Sequence, residues 1–161
     1  KNKAGKRGTA MHNYLEYMVA GKNLLDLTEE GVEAQRMAEV VRDKGFTDLE
    51  EIWGSEVVIS YPGLYAGQTD LCGIYQGRES IIDFKQSNKP KKEEWIEDYY
   101  YQMVAYAMAH DAVHGTQIEQ GVILMCTPDL FFQKFVLNGS RFRQYKWKWL
   151  WRLSEYYKQK M

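Results

Sequence analysis

The chain contains little cysteine and no long apolar stretch. Two of its 161 residues are cysteines, Cys72 and Cys126, and they do not have the spacing of a metal-ligand motif. A zinc site or an iron–sulfur cluster is therefore not supported, and we expect both thiols to be small buried side chains in a reducing compartment. No apolar run approaches the roughly 20 residues that span a bilayer. We therefore expect no contact with a membrane.

The sequence also lacks a signal peptide, internal repeats and low-complexity segments. It begins Lys-Asn-Lys, without the apolar segment that directs secretion. The composition, with 45% hydrophobic and 27% charged residues, is ordinary for a globular protein, and the length is sufficient for one domain with a core. We therefore predict a single domain over residues 1–161 and a cytoplasmic location.

A net charge of −1 conceals an uneven distribution of charge. Residues 26–56 contain ten acidic and three basic side chains, whereas residues 134–161 contain eight basic side chains and one acidic side chain. The N-terminal residues Lys1, Lys3, Lys6 and Arg7 add further positive charge. Basic ends on a nearly neutral chain are typical of a protein that contacts a polyanion on one side. The alternative is a pair of charged helices that face solvent.

Apolar periodicity and turn residues predict four helices and five strands. The helices are predicted over Ala10–Ala20, from Thr28 to about Lys44, from about Lys92 to His114, and from about Arg141 to Lys160. The strands are predicted over Ile52–Ser60, Leu64–Tyr75, Glu79–Gln86, Gly121–Cys126 and Leu130–Leu137, with a turn at residues 61–63. The order α-α-β-β-β-α-β-β-α predicts an α/β domain with a central mixed β-sheet flanked by helices.

Two carboxylates face each other in the predicted hairpin of the second and third strands. If the hairpin is symmetrical about Gln76–Gly77, Asp70 lies directly opposite Asp83, with Cβ atoms about 5 Å apart on one face. Lys85 follows two residues later and shares that face. Opposed like charges destabilise a sheet unless a cation such as Mg²⁺ offsets them. The hairpin therefore predicts a cation site, although an exposed face on which Lys85 pairs with Asp83 is the alternative.

Two pairs of polar side chains recur at helical spacing. His12 and Glu16 share a face of the first helix, and Gln102 and Tyr106 share a face of the third helix. Imidazole and carboxylate groups are common metal ligands. A surface pair at His12 and Glu16, and a local hydrogen bond at Gln102, are the alternatives.

In their order along the chain these residues resemble the motifs of the PD-(D/E)XK nuclease superfamily. They are most similar to its RecB-like branch, which includes phage and mitochondrial exonucleases. The motifs are His12-x-x-x-Glu16, Glu56, Gly67-x-x-Asp70, Asp83-x-Lys85 and Gln102-x-x-x-Tyr106. The resemblance implies a restriction-endonuclease-like core and a metal-dependent DNA exonuclease of DNA recombination, repair or replication. It further implies 5′-phosphate products and, for a phage protein, a location in the host cytoplasm.

The resemblance also implies roles for single residues. It implies a Mg²⁺ or Mn²⁺ centre and no iron–sulfur cluster. Lys85 would orient the attacking water or stabilise charge on the phosphate, and Gln102 would border the site. The implied metal ligands are His12, Asp70, Asp83 and the backbone carbonyl of Phe84, with Glu16 and Glu56 as further candidates.

DNA, as a single strand or a duplex end, is the implied partner, and a recombination or replication protein could be another. Phosphate contacts are expected from Lys6, Arg7, Ser87, Lys89, Lys91, Lys92, Tyr106 and the last helix. Aromatic residues of that helix could stack on bases or pack in the core: Tyr145, Trp147, Trp149, Trp151 and Tyr156.

Two other functions stay open from sequence alone. One is a structure-specific endonuclease of the same fold, and the other is a non-catalytic nucleic-acid-binding module. Polarity, strand preference, the number of metal ions and the oligomeric state are also open.

Overall fold

Helices and strands follow the predicted order in the computed structural model, which describes residues 2–61 and 65–160. The helices are α1 (Lys3–Val19), α2 (Glu29–Gly45), α3 (Glu97–His114) and α4 (Gly139–Lys160). The strands are β1 (Leu49–Tyr61), β2 (Tyr65–Tyr75), β3 (Arg78–Gln86), β4 (Gln120–Cys126) and β5 (Phe132–Asn138). The predicted α/β class is confirmed.

The five strands form one mixed sheet in the order β1-β2-β3-β4-β5. Neighbouring strands are antiparallel except for β3 and β4, which are parallel. A parallel pair needs a crossover connection, and α3 supplies it. Every residue of β4 is buried, as expected for a strand that has neighbours on both sides and helices on both faces of the sheet.

Helices cover both faces of the sheet, and each face has its own core. On one face Leu71 and Ile82 pack against α1 and α2. On the other face Cys72 and Ile81 pack against α3, with Phe142 of α4 in the same cluster. Adjacent strand residues point to opposite faces, so the apolar runs of β2 and β3 serve both cores. Both cysteines are buried, as predicted.

Helix α1 begins at Lys3, seven residues before the predicted start at Ala10. Thr9 therefore lies inside the helix and is not its N-cap. The early turns are held by Arg7, which is buried and bonded to Glu33 and Asn88. These tertiary contacts outweigh the low helix propensity of the two glycines nearby.

Helix α3 begins later than predicted, at Glu97 instead of Lys92. The Lys91 backbone exchanges two hydrogen bonds of 2.8 Å with the side chain of Gln133, and a short 3₁₀ turn, Glu93–Trp95, follows. The segment therefore stays extended beside β5. The helix ends as predicted at Gly115, which has a φ of +68°.

The other predicted ends lie close to the observed ones. Thr28 caps α2, since its hydroxyl accepts from the Gly31 N–H at 3.0 Å. Strand β5 begins two residues late because Leu130 lies in a turn, with a φ of +66° and an N–H bonded to Thr127. Two residues of the predicted turn, Pro62 and Gly63, lie outside the described residues. In the described part of the chain no helix has the length and apolar character needed to cross a membrane.

A glycine permits the irregular pairing of β1 and β2. Gly73 lies opposite Ile52, beside a shift in register, and a Cβ there would overlap the Glu51 carbonyl oxygen. Gly73→Ala should therefore lower the free energy of unfolding by about 1–3 kcal/mol, or more where the backbone cannot move. Gly5→Ala is the matched control, because its added Cβ would meet no atom within 4 Å apart from its chain neighbours and the backbone of its own helix. Urea unfolding of both variants checks this, and equal stabilities would contradict it.

Candidate active site

The β2–β3 hairpin has the predicted register. Leu71 pairs with Ile82 and Tyr75 pairs with Arg78 around the Gln76–Gly77 turn. The next residues outward on the two strands are Asp70 and Asp83. The Phe84 N–H donates to Asp70 Oδ2 at 2.8 Å, and the Asp70 N–H lies 3.4 Å from Asp83 Oδ1. Each carboxylate is therefore held by the backbone of the opposite strand.

Asp83 is the more deeply buried of the two carboxylates, with 3% of its surface exposed. Its Oδ1 also accepts from the Thr69 hydroxyl at 3.2 Å. Burial raises the pKa of Asp83, and the nearby charge of Asp70 raises it further, whereas Lys85 lowers it. Two carboxylates in this position favour a bound cation.

His12 reaches Asp70 from the opposite side of the cleft. Its Nδ1 lies 2.9 Å from the Gly8 carbonyl oxygen, which can only accept, so Nδ1 carries a hydrogen. Its Nε2 lies 3.3 Å from Asp70 Oδ2. Burial lowers the pKa of His12, but the hydrogen bond and charge of Asp70 outweigh burial, and the Phe84 carbonyl adds to them. The net pKa is about 9.

Glu56 lies on the neighbouring strand at the level of Asp70. The residues on either side of it, Ser55 and Val57, pair with Leu71 and Thr69. Its φ of +53° is uncommon for a residue other than glycine, and the Gln68 side chain bonds to its carbonyl and carboxylate. Burial raises the pKa of Glu56, and the charges of Asp70, Glu16 and Asp83 add to this effect. The charges of Glu16, Asp70 and Asp83 therefore all act on Glu56, and the roles of Glu16 and Glu56 as metal ligands stay predictions.

Lys85 lies over the ring of Tyr99, with its Nζ 4.6 Å from the ring centroid. Among the described residues it forms no ion pair with a carboxylate. The structure therefore does not support the alternative in which Lys85 forms an ion pair with Asp83. Tyr99 keeps the ammonium group at the cleft without neutralising it, since a ring attracts a cation but carries no net charge.

Gln102 and Tyr106 form one unit on α3, and their place at the border of the site stays a prediction. The Gln102 amide donates to the Tyr106 hydroxyl at 2.9 Å. A Cβ on Gly67 would overlap the Tyr106 ring. Gly67 therefore permits α3 to approach β2. This steric requirement explains the glycine in Gly67-x-x-Asp70.

The side chains predicted to contact DNA occupy different environments. Lys6, Lys89, Lys91 and Lys92 are exposed. Ser87 is buried and its hydroxyl donates to the Lys89 carbonyl.

Arg7, another predicted DNA contact, is nearly buried. Its guanidinium lies 2.9 Å from Asn88 Oδ1 and 3.5 Å from a carboxylate oxygen of Glu33. It connects the helix of His12 to the segment that follows Lys85. Its role towards DNA stays a prediction.

Sequence patterns did not reveal two residues that support the site. Thr69 binds Asp83, and Tyr99 supports Lys85. A threonine in a strand and a tyrosine on a helix are both common, so only the fold distinguishes them.

An open cleft of about 520 Å³ reaches part of this group, namely His12, Glu56, Asp70 and Lys85. In residues 2–61 and 65–160, no three His, Cys, Asp or Glu side chains form a ready-made metal cage. The donors nevertheless suit Mg²⁺ or Mn²⁺, because they are carboxylate oxygens with an imidazole whose orientation a backbone carbonyl sets. The cleft is lined by Ala4, Gly5, Gly8, Thr9, His12, Asn13, Glu56, Asp70, Lys85 and Gln86.

Comparison with curated proteins gives two relatives that carry the same name. No protein-family model matches the chain. It is 29% identical to human mitochondrial genome maintenance exonuclease 1 over 161 aligned positions, which cover 96% of this chain and 46% of the human protein. It is 32% identical to the mouse protein over 117 positions, which cover 68% of this chain and 34% of that protein. The chain is a homologue of mitochondrial genome maintenance exonuclease 1.

This homology confirms the predicted resemblance, and the chain spans less than half the length of either curated relative. A solved structure from Eubacterium rectale, provisionally named an exonuclease, has the same fold. Its TM-score is 0.61 at 13% identity, over 91% of this chain and 63% of that chain. The relatives in sequence and in fold are thus proteins named as exonucleases.

The His12–Asp70 contact predicts an unusual titration. With EDTA present, NMR should give His12 a pKa near 9, and Asp70→Asn should lower it. Because the folded-state pKa is raised above the usual value of about 6.5, the pair stabilises the fold fully below pH 6.5 or so and loses this effect as pH rises through about 9. A His12 pKa below 7 in the parental chain would contradict the contact.

Proposed function

We propose that this chain is a metal-dependent DNA nuclease, and that it acts as an exonuclease leaving 5′-phosphate products. The observation that carries the proposal is the pairing of Asp70 and Asp83 across the hairpin, with His12 and Lys85 in the same cleft. The homology to an exonuclease supports it. DNA recombination, repair or replication is the setting in which such an activity would serve.

A Mg²⁺ or Mn²⁺ ion would be held by His12 Nε2, the carboxylates of Asp70 and Asp83, and the Phe84 carbonyl. Glu16 and Glu56 would be available for a second ion. A bound ion of this kind supplies Lewis acidity, which lowers the pKa of a bound water and offsets phosphate charge. The raised pKa of Asp83 supports this assignment, because the carboxylate gains most from a nearby cation.

Lys85 would act on the reacting phosphate. Its ammonium is a mobile point charge that can donate to a phosphate oxygen or to the attacking water. Tyr99 would orient it, and the Gln102–Tyr106 unit would shape the wall of the cleft on the α3 side. Catalysis would therefore depend on electrostatic positioning, with the protein forming no covalent intermediate.

Phosphates on either side of the reacting bond would meet exposed lysines. Lys6 lies on α1, and Lys89, Lys91 and Lys92 lie on the connection after β3, which leaves the cleft directly after Lys85. Phosphate contacts of this type make binding strongly dependent on salt. Ser87, Arg7 and Tyr106 would contribute by holding this connection and the cleft wall in place.

The proposal predicts that Lys85 is required for cleavage and not for folding. Lys85→Ala should degrade end-labelled DNA at least about 100-fold more slowly than the parent with Mg²⁺ or Mn²⁺, as for the loss of one charge-stabilising donor. Lys22→Ala, which removes an exposed lysine at the end of α1, is the matched control and should keep the parental rate. Lys85→Ala that cleaves at the parental rate would overturn the proposal.

The same assay distinguishes the mode of attack. An exonuclease should leave a circular single-stranded DNA intact while degrading its linear form, and the labelled end that is lost first gives the polarity. Cleavage of the circle would replace the exonuclease with an endonuclease of the same fold. DNA binding without any cleavage in Mn²⁺ would favour a non-catalytic binding module.

A further inference from the structure

Helix α4 carries an unusually exposed pair of tryptophans. Trp147 is 72% exposed and Trp151 is 65% exposed, and Phe142 is the one buried residue of this 22-residue helix. A tryptophan is highly buried on average in folded proteins. Two exposed ones a single turn apart therefore suggest a binding surface.

These tryptophans lie in a row of exposed side chains that has a basic residue at each end. At 3.6 residues per turn, one narrow arc of the helix contains Arg143 and the residues that follow it by 4, 8, 11 and 15 positions. All five side chains are exposed. We call this surface the α4 stripe: Arg143, Trp147, Trp151, Ser154 and Lys158.

The charge of α4 indicates an anionic partner. The helix has seven basic residues and one acidic residue, Glu155, so its excess is six positive charges. Among the described residues, ion pairs involve only two of the seven, Arg141 with Glu93 and Lys158 with Glu155. A helix with this much unneutralised charge is stabilised by a polyanion.

Helix α4 is also packed against the segment that supports Lys85. Tyr145 makes edge contacts with Tyr100 and Tyr101, with ring centroids 5.4 and 5.1 Å apart, and the Arg152 guanidinium lies 3.8 Å from the centroid of Tyr101. Tyr99, which lies beneath Lys85, immediately precedes these tyrosines. Helix α4 is thus packed against the segment that contains Tyr99 through Tyr145 and Arg152, which lie on the side of the helix opposite the α4 stripe, so the stripe faces away from this contact.

We propose that the α4 stripe binds an unpaired segment of nucleic acid, with bases stacked on Trp147 and Trp151 and phosphates on the flanking cations. The proposal rests on the proposed nuclease function, and it adds a second contact region beyond the cleft. Four residues of helix rise about 6 Å, whereas bases in a duplex are stacked about 3.4 Å apart. The two indoles therefore match two bases of an extended strand and not a paired duplex. Every base has a face that stacks on an aromatic ring, so the contact is independent of sequence.

Binding without cleavage tests the α4 stripe directly. Affinity for a fluorescent oligo-dT is measured by anisotropy with EDTA present, for the parent and for the double variant Trp147→Ala/Trp151→Ala. Stacking is lost for two bases, so the dissociation constant should rise at least about 30-fold. The control is Leu25→Ala/Leu27→Ala, which removes two exposed apolar side chains that lie outside α4 and should leave affinity unchanged.

The phosphate part of the proposal has its own variant. Arg143→Ala/Lys158→Ala should reduce the slope of log affinity against log salt by roughly 0.7 for each lost contact. Arg36→Ala/Lys44→Ala on α2 is the charge-matched control, since it also removes two exposed cations and α2 lies on the other face of the sheet. An unchanged slope would contradict the assignment of these cations to phosphate.

Three results would overturn the proposal. The first is unchanged oligo-dT affinity in the tryptophan variant. The second is a parental dimer, seen in analytical ultracentrifugation, that the tryptophan variant loses at unchanged DNA affinity, which would make the stripe a contact between copies. The third is binding to phosphatidylserine vesicles without binding to oligo-dT, which would make it a membrane-surface helix.

The test separates this inference from the nuclease proposal. If the tryptophan variant loses affinity and the parent cleaves no DNA with Mg²⁺ or Mn²⁺, nucleic-acid binding by the α4 stripe is supported and the nuclease proposal fails. If the parent cleaves DNA and the tryptophan variant binds and cleaves equally well, the nuclease proposal stands and the stripe fails.

Discussion

The apposition of Asp70 and Asp83 is the constraint around which the rest of the structure is arranged. Two carboxylates on adjacent strands repel each other, and burial of Asp83 increases the cost. The surrounding groups reduce this cost in part, since the Phe84 N–H, the Thr69 hydroxyl and His12 all bond to the pair. A fold that needed only stability would place apolar side chains here.

The site forms where the two helical layers meet the middle of β2 and the second half of β3. Helix α1 brings His12 from one face of the sheet, and α3 brings Tyr99 and Tyr106 from the other. Both layers are therefore needed to bring His12 and Tyr99 to the strand residues of the site. The buried Arg7 strengthens this dependence, because it connects α1 to Asn88 in the chain just beyond Lys85.

Local patterns in the sequence were sufficient for the architecture and for the centre of the site. The symmetrical hairpin about Gln76–Gly77 predicted the facing aspartates, because register follows from turn position once alternation is known. The start of α1, the support of Lys85 by Tyr99 and the contact of Gly67 with Tyr106 could not be predicted. Each depends on residues that are distant in sequence, and no periodicity reports such contacts.

Thermal unfolding of the parent and of Asp83→Asn, with EDTA and with Mn²⁺, tests the central claim most directly. Asparagine keeps an acceptor for the Thr69 hydroxyl but removes one of the two opposed charges. We predict that Asp83→Asn is the more stable protein in EDTA, and that Mn²⁺ raises the unfolding temperature of the parent but not of the variant. Equal stabilisation of both proteins by Mn²⁺, or a less stable variant in EDTA, would contradict the account.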